Sequence, residues 1–435
     1  MMTAEENDLL CRVEGDAPMG QLMRRHWIPA LLSEEIAEPD GKPVRVRLLG
    51  EDLVAFRDTD GRVGVLDELC PHRRASLVYG RNEECGLRCL YHGWKFDVEG
   101  NTLEMFSEPP ESALTEKVKH KAYPAREAGG FVWVYMGPAE EMPAFERPAF
   151  APAEDTRVSI IKMKVPCNWV QILEGQIDSA HSSSLHSSDM VPARVDSAGA
   201  NETNWLRPST DKSPRLQVQR TSYGFRYAAI RRPIKNAASD DYVRVTVYVA
   251  PFLSLIPPNT SYNVASLNVP MDDGNTAFYF IAWGGEDCPD TETWRRFAHA
   301  VPGEDLDEDF NNLRTRENDY MQDRAAMKDG NFTGIKGIPN QDVAMWVSMG
   351  AITDRTKEVL GASDLAIVEM RRLMVEAAGR MRDENIALGV TLPHVPHAGI
   401  SSWQGIVPKT TDWRLLGVSE EEIKVTAGEA GKAAS

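Results

Sequence analysis

Short runs of alternating apolar and polar residues occupy the first third of the chain. Between Val44 and Leu66 such runs flank Asp58-Thr59-Asp60-Gly61, and the pattern predicts a β-hairpin turning on those four residues. Gly129-Gly130-Phe131-Val132-Trp133-Val134-Tyr135 predicts another strand, with aromatics on one face and valines on the other. From Met136 to Asp155 the periodicity fades, and Pro138, Pro143, Pro148 and Pro152 predict an extended linker. Beyond it, Ser222–Ile230, Tyr242–Leu255 and Thr276–Trp283 read as strands, whereas Trp294–Ala300, Ala362–Arg382 and a segment after Asn168 read as helices. In the second of those helices Ile367, Met370, Met374, Ala377 and Met381 recur at helical spacing and are expected in the core. The pattern is α+β, without internal repeats.

With 435 residues the chain exceeds the roughly 250 to 300 that one core organises, so it should divide. We expect an N-terminal helical segment (1–40), a small antiparallel β-domain (41–140), a proline-rich linker (141–156), a larger α+β domain (157–426) and a frayed tail (427–435). The net charge of -17 argues against nucleic acid as a partner, because that partner selects basic patches. The acidic start Met-Met-Thr-Ala-Glu-Glu-Asn-Asp lacks the basic region and apolar core of a secretory signal. No apolar run approaches the roughly 18 residues that span a bilayer, so a cytoplasmic enzyme without membrane contact is expected. Six scattered cysteines form no disulfide framework, as expected in a reducing compartment.

Two cysteine–histidine pairs carry the first chemical signal. Cys70-Pro71-His72 is followed, after sixteen residues, by Cys89-Leu90-Tyr91-His92. Two thiolates and two imidazoles at this spacing suit a [2Fe-2S] cluster with both cysteines on one iron and both histidines on the other. A structural zinc site normally leaves two to four residues inside each ligand pair, which makes zinc the weaker fit. Pro71, Gly86, Gly93 and the turn-prone Arg81-Asn82 stretch suggest two loops closing over the cluster, and Cys85 is expected to be a small core residue.

The second signal is Asn168 to His186. Asp178 and His181 share a face if this segment is helical, so the carboxylate can orient the imidazole. Five residues further on, His186 would point roughly 140° away on an unbroken helix. Both histidines meet one metal only if the helix ends or distorts, and Ser182-Ser183-Ser184 competes for the backbone hydrogen bonds there. Two histidines and a carboxylate make the facial triad of non-haem Fe(II) oxygenases. Asp342 is a candidate third ligand, presented by a short helix opened by Pro339, and Asp323 and Asp354 are rivals on pattern alone.

The motifs C-P-H-R-R-A-S-L (70–77), C-L-Y-H-G-W-K-F (89–96), N-W-x-Q-x-x-E-G-x-x-D-S-A-H-S-S-S-L-H (168–186), N-Q-D ending at Asp342, and D-R-T (354–356) resemble the Rieske non-haem iron aromatic-ring-hydroxylating oxygenases over most of the chain. That resemblance implies an N-terminal Rieske [2Fe-2S] antiparallel β-domain and a helix-grip-like catalytic domain. Cys70, His72, Cys89 and His92 would hold the cluster, and His181, His186 and Asp342 the mononuclear Fe(II). Asp178 would bridge His181 to a cluster histidine, His92, of a neighbouring subunit, so trimers or stacked trimers are implied. Within the class the likeness is to the phthalate-type members. It implies cis-dihydroxylation of benzene-1,2-dicarboxylate at carbons 4 and 5, with O2 and electrons from NADH. With no Gly-rich dinucleotide fingerprint in the chain, those electrons would come through a separate flavin/iron-sulfur reductase.

A dianionic substrate in a chain of net charge -17 needs local compensation. The run from Val243 to Val249 alternates valines with Arg244, Thr246 and Tyr248, which projects Arg244 where a cavity would lie. Arg207 is a second candidate, and Ser179 a further hydrogen-bond donor. A buried guanidinium is costly without an anion, and one arginine per carboxylate would also orient the ring. A monooxygenase, O-demethylase or aryl-ether-cleaving enzyme would use the same metal ligands. A pure electron carrier would need neither His181 nor His186, and a zinc-stabilised interaction protein would be colourless.

Overall fold

In a computed structural model describing residues 2–109, 111–200, 204–258, 261–390, 396–420 and 422, two helices precede the first strands, α1 (Ala4–Cys11) and α2 (Pro18–Arg24). Ten short strands follow: β1 (Trp27–Leu32), β2 (Val44–Leu48), β3 (Glu51–Arg57), β4 (Val63–Asp67), β5 (Arg81–Glu83), β6 (Gly86–Arg88), β7 (Trp94–Phe96), β8 (Thr102–Met105), β9 (Ala125–Ala128) and β10 (Phe131–Tyr135). They form three antiparallel sheets, ordered β1-β10-β9, β2-β3-β4 and β5-β6-β7-β8. The β3–β4 hairpin turns where its sequence predicts because the buried Asp58 carboxylate accepts from the amides of Asp60 and Arg62, while Gly61 takes a φ of 81°. Val54, Phe56, Leu66, Leu77, Leu87 and Phe96 pack into the core of this unit. Each such side chain contributes about 1.5–3 kcal/mol by leaving water.

Two local expectations fail here. Arg81 and Asn82 are paired strand residues rather than a turn, and the turn falls on Glu84-Cys85. A type I′ two-residue hairpin has positive φ at both central positions, and these residues have φ of 49° and 59°. Cys85 therefore sits at a hairpin tip with Sγ 3.3 Å from Asp60 Oδ2, not in the core.

The chain divides into Val13–Phe145 and a second unit of Met1–Arg12 with Glu146–Ser435. The segment 1–40 is thus not one helical piece. Residues 1–12 belong to the larger unit, while the apolar run Trp27–Leu32 pairs as a strand with β10. The tail expected at 427–435 lies outside the described residues.

The larger unit adds β11 (Arg157–Val165), then β12 (Met190–Pro192), β13 (Gly199–Ala200) and β14 (Trp205–Arg207), which form a small sheet of their own. Its main antiparallel sheet is built from β11 with β15 (Arg215–Thr221), β16 (Gly224–Arg231), β17 (Asp240–Val249), β18 (Leu253–Ile256), β19 (Asn263–Pro270) and β20 (Thr276–Gly284). The order is β11-β20-β19-β18-β17-β16-β15, with β21 (Trp403–Pro408) also paired to β17. The stretch Tyr242–Leu255 is two strands rather than one, because Pro251 has no N–H to continue the ladder and the chain turns back on itself there. Both faces of β17 are buried, the valines against Trp413 and Ile230 and the polar residues on the other side.

Among the helices, α3 (Leu114–Lys117) belongs to the smaller unit, and α4 (Trp169–Gln176), α5 (Thr291–Phe297), α6 (Arg324–Lys328), α7 (Ile338–Ser348) and α8 (Leu365–Glu384) to the larger. Met370, Met374, Ala377 and Met381 of α8 are buried, whereas Ile367 is only half-buried. No helix among the described residues is long and apolar enough to cross a membrane.

The D-R-T segment has a structural role. Arg355 grips Glu174 of α4 with two bonds of 2.9 and 3.0 Å, Arg371 of α8 adds one of 2.6 Å, and Arg355 reaches Asn7 of α1 at 3.1 Å. Burial alone would raise the Glu174 carboxyl, but the two guanidiniums hold it below its usual range. Its stabilisation is therefore complete above the unfolded value near pH ~4.3 and is lost as pH falls through the depressed folded one. Glu174→Gln should destabilise by about 3–5 kcal/mol at pH 7, because the buried Arg355 loses its counterion and Arg371 keeps only Glu358. Urea unfolding measures this, and a loss below about 1 kcal/mol would contradict the network.

Candidate metal centres

The two cysteine–histidine pairs lie on loops with the same backbone pattern. The Cys70 amide donates to Ala75 O, and the Arg74 amide donates to Cys70 O, each at 2.9 Å. Likewise the Cys89 amide donates to Trp94 O at 2.8 Å and the Gly93 amide to Cys89 O at 3.0 Å. In each loop the fourth residue after the cysteine has positive φ, 59° at Arg74 and 73° at Gly93. The loops bring His72 and His92 together with ring centroids 4.4 Å apart, and Trp94 stacks on His72 at 4.5 Å.

The set fits a two-iron cluster. The cysteines are in the core, 1% and 3% exposed, while the imidazoles stand at its partly exposed edge. The two thiols face each other, and their mutual hydrogen bond holds the Cys89 thiol below its usual range while pushing Cys70 up, which favours the thiolate a metal needs. Burial, followed by the charge of His72, lowers the pKa of His92 and favours the neutral, ligating form. His72 Nδ1 is buried without a hydrogen-bond partner, the state a metal bond would complete.

Asn168 caps α4 by accepting from the Val170 amide at 3.1 Å, and the helix ends at Gln176, earlier than the serine run predicts. Asp178 stops its continuation by taking the Ala180 amide on Oδ1 at 2.7 Å. The serines then bond back to the chain, Ser182 Oγ to Ser179 O and Ser184 Oγ to His181 O. With the helix broken, the two imidazoles converge instead of diverging.

On the other side, Pro339 lies in the first turn of α7, which presents Asp342. The two helices approach at Gly175, where a Cβ would fall 2.2 Å from Trp346 Nε1. His181 Nε2 and His186 Nε2 are 3.1 Å apart, and Asp342 Oδ1 lies 3.6 and 3.2 Å from them. Metal bonds of about 2.0–2.2 Å at roughly 90–120° place donor atoms about 2.8–3.8 Å apart, so one ion fits the three. Among the described residues this is the single group of three ligands that meets in this way. Of the rivals, Asp323 caps α6 and Asp354 is spent on Thr356 and Lys357.

Each imidazole is turned by a partner at Nδ1. His181 Nδ1 is 3.4 Å from Asp178 Oδ2. Burial would lower the pKa of His181, but the hydrogen bond it donates to Asp178, helped by the charge of Asp342, outweighs this and raises it. His186 Nδ1 is 2.7 Å from Gln341 Oε1. The Gln341 amide nitrogen already donates to Asp189 Oδ2 and Ile335 O, both at 2.9 Å, so its oxygen must accept from His186 Nδ1–H. That leaves His186 Nε2 as the free donor atom. Sequence pattern alone assigns no role to Gln341 or Asp189. A buried glutamine next to the candidate ligand on α7 was the available signal.

A cavity opens on the triad, and Asp178, Ser179, His181, His186, Asp342 and Arg244 are among its walls. Phe278, Phe280 and Val264 supply apolar surface. Arg244 is buried, donating to Pro257 O at 3.0 Å and to Tyr242 Oη at 3.4 Å. Arg207 is not part of this lining. It stands behind the turn, with Nη1 3.3 and 3.4 Å from Ser182 and Ser183 Oγ and a buried Nε that has no hydrogen-bond partner among the described residues. Burial, then the charge of Arg244, lowers the pKa of Arg207.

The Rieske [2Fe-2S] domain family matches residues 26–119, and the LigXa C-terminal domain like family matches residues 134–433. The chain belongs to the Rieske non-haem iron oxygenases, which carry a Rieske cluster and a mononuclear iron. It is 65% identical to the phthalate 4,5-dioxygenase oxygenase subunit of Pseudomonas putida, over 95% of this chain and 94% of that protein. It is 37% identical to the 3-chlorobenzoate-3,4-dioxygenase oxygenase subunit of Comamonas testosteroni, over 95% and 97%. The fold matches the NdmA QL mutant with caffeine from Pseudomonas putida CBB5 with a TM-score of 0.59, covering 84% of this chain and 93% of that one at 17% identity.

Gln341→Leu removes the acceptor that fixes His186. It should weaken Fe(II) or Co(II) binding to the apo mononuclear site by about 10- to 100-fold while leaving the cluster's visible spectrum intact. Metal titration checks this, and unchanged affinity would remove Gln341 from the site.

Proposed function

We propose that this chain is the oxygenase component that cis-dihydroxylates phthalate at carbons 4 and 5. The observation that carries the reading is a buried arginine, Arg244, in the same cavity as the His181–His186–Asp342 triad, in a chain so similar to a phthalate 4,5-dioxygenase subunit. In this reading Cys70, His72, Cys89 and His92 hold the cluster, and His181, His186 and Asp342 hold the mononuclear iron. When bound, these groups supply single electrons and the activation of O2.

The residues of the chain place and insulate the substrate. Arg244 forms a charge-assisted pair with one ring carboxylate and Ser179 donates to the other. Arg207 adds positive charge from behind the serine turn. These contacts fix the ring over the triad, while Phe278 and Phe280 exclude water from its face. Two oxygen atoms then add to adjacent ring carbons of one face to give a cis-dihydrodiol.

Electrons from NADH arrive through a separate flavin/iron-sulfur reductase. Asp178 keeps His181 oriented and, in a ring of three copies or stacked rings, also accepts from His92 of the neighbouring copy. A single copy is then nearly inactive.

Arg244→Ala should raise the phthalate concentration for half-maximal turnover by roughly 10- to 100-fold, with unchanged cluster colour. An unaltered concentration dependence would exclude Arg244. A phenol or demethylated product from a panel of benzene carboxylates, in place of the dihydrodiol, would favour monooxygenation. Asp178→Asn should leave both metal sites loaded but slow single-turnover electron transfer on the order of a hundredfold. Normal transfer rates, followed by stopped-flow bleaching of the cluster, would refute the bridge.

A further inference from the structure

Arg231 is the last residue of β16 and pairs across the sheet with Tyr242 of β17. By strand alternation it shares a face with Tyr227, Ala229, Arg244 and Thr246, and it lies diagonal to Arg244. Three of those residues, Tyr227, Arg244 and Thr246, line the cavity above the triad. Arg231 itself is 1% exposed and has no carboxylate partner among the described residues. Its Nε donates to Asp211 O at 3.2 Å, its Nη2 to Ser179 O at 2.6 Å and its Nη1 to Ser179 Oγ at 3.2 Å. Burial, then the charges of Arg207 and Arg244, pushes its pKa down to about 10.

A buried guanidinium normally has a counterion, as Arg355 and Arg371 have in Glu174. Arg231 has only a hydroxyl and two carbonyls. The hydroxyl is the informative one. Ser179 Oγ accepts from Arg231, and its own proton has no acceptor among the described residues, while Ser179 lines the cavity. An accepting oxygen beside a cation is a stronger donor, since chained hydrogen bonds polarise one another at low dielectric. The second Arg231 bond, to Ser179 O, fixes the backbone from which that hydroxyl projects.

We propose that Arg231 is a specificity-determining positioning residue: it polarises Ser179 and aims its proton at the second carboxylate of an ortho-dicarboxylate. Arg231 does not touch the substrate. Its charge reaches the site through one hydroxyl, which separates dicarboxylates from monocarboxylates of the same ring. The inference rests on the dicarboxylate reading above.

Equilibrium titration of the holoenzyme with phthalate and with benzoate tests it. Arg231→Gln and Ser179→Ala should each lower the phthalate-to-benzoate affinity ratio by about 10- to 100-fold, and the double variant should fall no further than Ser179→Ala alone. Arg231→Lys keeps the charge but not the fork. It should lose less in the wild-type background and nothing in the Ser179→Ala background, which keeps the test open if Arg231→Gln does not fold. A purely structural role would weaken both ligands equally and leave the ratio unchanged, and that result overturns the proposal. So does a double variant whose losses multiply. Wild-type protein that does not prefer phthalate to benzoate would instead refute the dicarboxylate reading, and the proposal with it.

Discussion

The hydrogen bond from His186 Nδ1 to Gln341 Oε1 ties together the two segments on which the catalytic unit's site depends. One is the broken turn after α4, and the other is α7, which also carries Asp342. Because Gln341 and Asp342 are adjacent, the helix that offers a carboxylate also fixes the imidazole opposite it. Asp189 and Ile335 hold the glutamine in turn, so the orientation of His186 is set by buried partners at each step. Gly175 permits this closeness, since any side chain there would meet Trp346. On an unbroken helix His186 would point about 140° away from His181. The early stop at Gln176 is thus a requirement of the metal site, and Asp178 supplies both the stop and the support of His181.

Charge is handled in two opposite ways within one unit. Glu174 neutralises Arg355 and Arg371 and uses them to fasten α1, α4 and α8. Beside the broken turn, Arg207 and Arg231 are buried with serine hydroxyls and carbonyls in place of acids. The first arrangement is self-sufficient. The second leaves positive potential beside a cavity in a protein whose net charge is -17, which answers how a dianion would be drawn to such a chain.

The parts of this arrangement that were legible in the sequence are those written by local rules. The hairpin at Asp58–Gly61, the strand Phe131–Tyr135 and the buried methionine stripe of α8 follow from turn chemistry and periodicity. The spacing of Cys70, His72, Cys89 and His92 spoke for itself, and the conflict between His181 and His186 on a continuous helix pointed to a break. What stayed hidden depends on tertiary pairing. Trp27–Leu32 becomes a strand only because β10 is there to receive it, and Cys85 leaves the core because β5 and β6 need a two-residue turn. Gln341 and Arg231 carry no motif. Their roles come from which hydroxyl or imidazole the fold puts within reach.

The account's central claim is that one chain joins a two-iron cluster to a separate iron held by His181, His186 and Asp342. Iron and acid-labile sulfide assay of anaerobically loaded protein, wild type beside Asp342→Ala, tests it most directly. The account predicts about three iron atoms and two sulfides per wild-type chain, and about two of each in the variant. Zinc without sulfide, or a variant that keeps its third iron, would contradict it.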